Sequence, residues 1–177
     1  MGHFGFSYIG LIYMILLEVP NILWARRKPE GYDPSGENKV LLAFERIGQV
    51  LCTATVLFFS DTNPKRVEPW LFWLIASALL MVLYECYWLR YFRGGHTWED
   101  FYRPFLGVPV PGATLPVVAF LLLGIYGQLV WLIAAAVILG VGHIGIHLQH
   151  IRNQNNQSLG TVEYRRKPGN EKEQDRF

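Results

Sequence analysis

The chain has 177 residues, of which 51% are hydrophobic, 15% aromatic and only 17% charged, whereas soluble domains carry roughly 25% charged residues. Its 16 basic and 14 acidic residues nearly cancel, leaving a formal charge of +2 that gives no electrostatic reason to invoke nucleic acid. The two cysteines, Cys52 and Cys86, fall in separate apolar stretches, so neither a disulfide framework nor a thiolate metal site is indicated.

Five apolar runs approach the roughly 20 helical residues needed to cross a bilayer core about 30 Å thick. The first covers residues 4–24. It lacks the basic start of a cleaved signal peptide and is expected to stay in the mature protein. Near its end stand Glu18 and, one turn on, Asn21. After the turn-forming stretch RRKPEGYDPSGENK, a second run covers 40–60, with Glu45, Arg46 and Gln49 about two turns in. The third, 69–92, carries Glu85 and Arg90 near its end.

The loop that follows contains Trp98, Glu99, Asp100, Phe101, Tyr102 and Arg103. This mixture suits a membrane interface and reads as a lid. The fourth run, 105–126, opens on GVPVPGATLP. Pro109, Pro111 and Pro116 remove amide donors there and Gly112 loosens the backbone, so a broken entrance is expected. Only residues 126–128 separate it from the fifth run, 128–148, which implies a tight helical hairpin or one run that is not a full span. On the fifth, His143, His147 and His150 follow spacings of four and three and share one stripe. Ala136, Gly140 and Gly145 read as close-packing positions. From Asn153 onward the chain is polar, and residues 153–177 are expected to form a flexible basic tail in the cytoplasm, beyond a single membrane domain of residues 1–152.

Lys and Arg fix the expected orientation, because cytoplasmic loops retain positive charge. Arg26, Arg27, Lys28 and Lys39 lie in the first loop, Arg93 and Arg103 in the third, and six more basic residues in the tail, against Lys65 and Arg66 alone on the other side. An odd number of spans puts all three basic regions on one face. The expected fold is therefore an all-α polytopic bundle of about five transmembrane helices, N-terminus outside and C-terminus cytoplasmic, in the plasma membrane.

An ionisable residue at the centre of a span costs about 2.5 to 3.5 kcal/mol on insertion scales, so each asks for a partner or a purpose. In this topology all of them fall in the cytoplasmic half, within about 10 Å of the basic rim. They predict a cytoplasm-facing polar pocket. Glu45, Glu85 and His143 are the candidate catalytic groups, with Arg46, Asn21, Gln49 and Arg90 binding substrate. His143, His147, His150 and Glu18 form a candidate set for a divalent metal. The competing structural reading has the histidines hydrogen-bonding neighbouring helices or carboxylates and Arg46 pinned to Glu18 or Glu85. A haem is disfavoured, since its two axial histidines would come from two helices.

The leading functional expectation is an enzyme acting on a lipid or other apolar substrate by acid-base or metal-assisted chemistry. The alternatives are a small proton-coupled transporter or channel and a non-catalytic scaffold. Expected partners are the bilayer and a lipid or apolar substrate, with no nucleic acid; self-association into a homo-oligomer is a further expectation.

Overall fold

The structure, a computed structural model, describes residues 2–29, 32–64 and 67–166, with side chains of the last helix described as far as Asn156. Each apolar run becomes helix, and side-chain caps open some of the helices. α1, Tyr8–Arg26, starts at Ser7, whose Oγ accepts from the Gly10 amide at 2.8 Å. α2, Lys39–Phe58, starts at Asn38, whose Oδ1 accepts from the Val40 amide at 2.8 Å. A 3-10 turn, Pro69–Leu71, leads into α3, Phe72–Arg93. The short α4, Trp98–Tyr102, is capped by Thr97. α5 is Pro111–Tyr126 and α6 is Val130–Arg166. Among the described residues there is no β-strand, only two isolated bridges.

Four helices are long and apolar enough to cross a membrane: α1, α2, Pro69–Arg93 and the Val130–Asn156 part of α6. The fourth apolar run of the sequence yields only 16 residues of helix, about 24 Å. Its first residues are spent on turns: Phe105 bridges back to Val108, and Leu106, Gly107 and Val110 take positive φ of 51°, 79° and 47°. For Val110, β-branched, that conformation is strained. Two contacts hold the segment in place. Thr114 Oγ1 donates to the Pro109 carbonyl at 2.9 Å. The Arg90 guanidinium donates to the carbonyls of Arg103 at 2.8 Å and Pro104 at 3.0 Å.

α5 is the central helix, packed between α3 and α6, and nine of its residues are buried. α2 runs along α6 at very close range. A Cβ on Gly142 would stand 2.2 Å from the Glu45 amide nitrogen, and one on Gly48 would stand 2.5 Å from the Leu139 backbone, so glycine on each helix lets the other approach. Of the small residues singled out in the sequence, Gly140 lies against Val117, Gly145 against Leu41, and Ala136 is fully buried.

α1 is attached differently. Near its start Gly10 lies against the Val56 carbonyl, where a Cβ would come within 1.9 Å. Before it the chain is sewn to the end of α2: the Gly5 and Ser7 amides donate to Phe58 and Leu57, and Ser7 Oγ meets Thr62 Oγ1 at 2.6 Å. Farther along, α1 leaves α2. Residues 3–8, 58–63 and 126–129 thus form one end of the bundle, and residues 24–29, 32–38, 94–105 and 147–150 the other.

Among the residues whose side chains are described, every Lys and Arg lies at or near that second, basic end, apart from Arg46 inside α2. The polar tail expected from Asn153 begins within α6, whose helix continues to Arg166. The remainder of the tail, 167–177, lies outside the described residues, as do Lys65 and Arg66.

Candidate functional site

The divergence of α1 from α2 opens a cavity of about 320 Å³, floored by α5 and α6. Five of the residues singled out from the sequence line it together: Glu18 and Asn21 from α1, Arg46 and Gln49 from α2, and His143 from α6. The rest of the wall is mainly apolar, including Leu17, Val117, Phe120 and Leu139. Glu18 and Arg46 stand exposed at the rim, so the cavity opens sideways between α1 and α2.

At the floor, His143 Nδ1 lies 2.6 Å from Glu45 Oε1. Glu45 does not line the cavity itself but backs the imidazole. A carboxylate on Nδ1 fixes the tautomer with its proton there and leaves the Nε2 lone pair for another group. Arg46 is adjacent in sequence and turns the other way, toward Gln49 Oε1 at 3.4 Å. It makes no ion pair with Glu18, Glu85 or any other described residue. Asn21 donates Nδ2–H to the Leu17 carbonyl at 2.8 Å and to the Tyr84 hydroxyl at 3.1 Å, which anchors α1 to α3.

The remaining predicted residues are elsewhere. Glu85 is not in the cavity wall, and its buried Oε1 has no hydrogen-bond partner among the described residues. Arg90 is engaged with the loop carbonyls before α5 and lies over the Tyr87 and Phe105 rings.

The proposed metal set does not assemble. Only His143 reaches the cavity. His147 is buried with Nδ1 at 3.1 Å from the Tyr102 hydroxyl. Burial pushes the Tyr102 phenol up, so it stays protonated. His150, almost two turns beyond His143, turns to the loop between α1 and α2 and meets Glu37 Oε1 at 3.0 Å. Among the described residues no three His, Cys, Asp or Glu side chains converge as metal ligands. Three histidines on one stripe share a face of the helix, but each has been given its own partner by a different neighbouring element.

These partners close the basic end. Gln149 takes up the Gly36 carbonyl at 2.8 Å and the Asn38 amide at 3.0 Å, which fastens the first loop onto α6. The indole of Trp24 stacks on Phe101 at 5.2 Å, and Phe101 lies 5.8 Å from His147. α4 thereby bridges α1 and α6 one turn beyond Asn21 and His143, and none of its residues lines the cavity. Glu37, Tyr84 and Tyr102 were not legible as partners because each comes from a separate element, and no local spacing links Glu37 and Tyr102 to the histidines or Tyr84 to Asn21.

The chain matches no protein-family model, no curated protein and no solved structure.

Proposed function

We propose that this chain is a multi-pass integral protein of the plasma membrane, with its N-terminus outside and its C-terminus cytoplasmic. In this reading α5 completes five spans. Supporting the orientation is the gathering of the described basic rim residues at one end of the bundle, the charge bias that cytoplasmic faces carry.

Within that membrane we propose an enzyme that takes a lipid or other apolar substrate sideways from the cytoplasmic leaflet and works on it by acid-base catalysis. The observation that carries this reading is the 2.6 Å Glu45–His143 pair at the floor of a cavity that also presents the unpaired cation Arg46. His143 Nε2 takes a proton from the reacting group. Glu45 holds the imidazole in the tautomer that can do so and stabilises the imidazolium that forms, the logic of carboxylate-oriented histidine bases. Arg46 receives the anionic part of the substrate, assisted by Gln49 and Asn21, while Leu17, Val117 and Phe120 accept apolar chain. A transport route is less well supported, because Gly10 against Val56 shuts the cavity toward the N-terminal end.

The test is untargeted. Protein reconstituted in vesicles of total polar lipid is followed by mass spectrometry for lipids consumed and formed. Wild type is expected to turn over at least one species, and His143→Gln to do so about 100-fold more slowly or worse, in the range general acid-base groups contribute. Glu45→Gln should retain an intermediate rate, with an unchanged unfolding temperature for both. No turnover by folded wild-type protein, or equal turnover by His143→Gln, would sink the proposal.

A further inference from the structure

A second cleft lies outside the cavity, at the basic end of α3. It encloses about 550 Å³ and is lined by Arg90, Arg93 and Arg103 together with Asp100, Leu89 and Cys86. None of the three arginines forms an ion pair with any described residue. The one carboxylate present, Asp100, is occupied by the Gly95 amide at 2.9 Å. The cleft therefore holds two positive charges more than negative ones among the residues that line it. Arg90 spends its guanidinium on the carbonyls of Arg103 and Pro104, whereas Arg93 and Arg103 are exposed and keep theirs for a ligand.

Directly along α3 from these charges runs a lipid-type face. Ile75, Leu79, Val82 and Leu89 are all exposed and recur at helical spacing, so they share one side of the helix that ends at the arginines. Cationic groups above an exposed apolar stripe complement a molecule with an anionic head and a long apolar tail.

We infer that this cleft is a binding site for an anionic phospholipid, whose phosphate sits between Arg93 and Arg103 and whose acyl chain lies along the Leu89–Ile75 face of α3. The site rests on the membrane placement proposed above but not on the catalytic reading, since it shares no residue with the cavity between α1 and α2. Guanidinium groups suit it because their fork matches phosphate oxygens.

Delipidated protein in mild detergent is titrated with phosphatidylglycerol and with phosphatidylcholine of the same acyl chains, and complexes are counted by native mass spectrometry. Two arginines near a membrane surface predict a preference of about 30-fold for phosphatidylglycerol. Arg93→Gln/Arg103→Gln should reduce it to near parity, with each single variant in between. Arg152→Gln, an exposed basic residue of α6 that lines neither the cleft nor the cavity, should leave it unchanged. Equal binding of the two lipids by wild type overturns the inference without recourse to any variant. So does a preference that survives the double substitution, one abolished by Arg152→Gln, or one competed away by millimolar inorganic phosphate, which would mark the cleft as a site for a soluble anion. Measured in His143→Gln as well, the preference stands or falls independently of turnover.

Discussion

Gly142→Ala is expected to destabilise the bundle by about 3 kcal/mol, the upper part of the range for overpacking a core. The added methyl would sit 2.2 Å from the Glu45 amide nitrogen, 2.6 Å from the Leu41 carbonyl oxygen and 2.7 Å from the Glu45 Cα. All three are backbone atoms of α2, so no rotamer change relieves the contact and the two helices must separate. Alanine outranks glycine in a helix by roughly 1 kcal/mol, which does not offset this. Because the obstructed residue is Glu45, separation also draws its carboxylate from His143. Gly36→Ala is the matched control, since a Cβ there meets nothing within 4 Å. Unfolding in mixed detergent, followed by far-ultraviolet circular dichroism, should give a clear loss for Gly142→Ala and none for Gly36→Ala. Equal curves would mean that the α2–α6 contact is looser than the distances above.

The second large effect is expected at Arg90. Its two donations to Arg103 and Pro104 are charge-assisted, and its guanidinium carbon lies 5.2 Å from the Phe105 ring centroid and 5.5 Å from that of Tyr87. Arg90→Gln should cost roughly 2 to 4 kcal/mol, because hydrogen bonds to charged groups are worth about 1.5 to 3 kcal/mol each and part of this one is solvent-screened. The loss should be local first. Residues 103–110, already bent through Leu106, Gly107 and Val110, are expected to become cleavable by a protease added at the basic end, before α1, α2 or α6 loosens. Arg90→Lys should recover little, since an ammonium cannot hold two carbonyls in the planar fork. If Arg90→Gln resists proteolysis as wild type does, the strained segment is held by α5 itself.

The helical architecture was legible because long apolar runs separated by charge admit few other structures. The broken entrance to the fourth run was legible too, for Pro109 and Pro111 cannot continue a ladder of amide donors. That this break would shorten α5 to 16 residues was not, since it depends on turns at Leu106 and Val110, residue types that seldom adopt positive φ. Within the candidate site, Glu18, Asn21, Arg46, Gln49 and His143 came together as polar groups at one depth should. The histidine stripe misled as a ligand set: periodicity says which side chains share a face, and nothing about what the next helix or loop sets opposite each of them. Gly142 escaped notice beside Gly140 and Gly145, because which of three nearby glycines bears the closest crossing is decided by the angle between α2 and α6.

The inward burial of α5 bears on how the chain is made. A 16-residue helix with a proline at its start and another at Pro116 is too short to partition into a bilayer as a lone span, and its natural surroundings are the side chains of α3 and α6. Only residues 127–129 join it to α6, and within that join the Leu129 amide returns to the Gly124 carbonyl at 2.9 Å. In the membrane placement proposed above, the two helices would enter the bilayer as a preformed hairpin, with the longer α6 carrying the shorter one in. A nascent chain cut off after Tyr126 would leave α5 outside the bilayer and the floor of the cavity unbuilt.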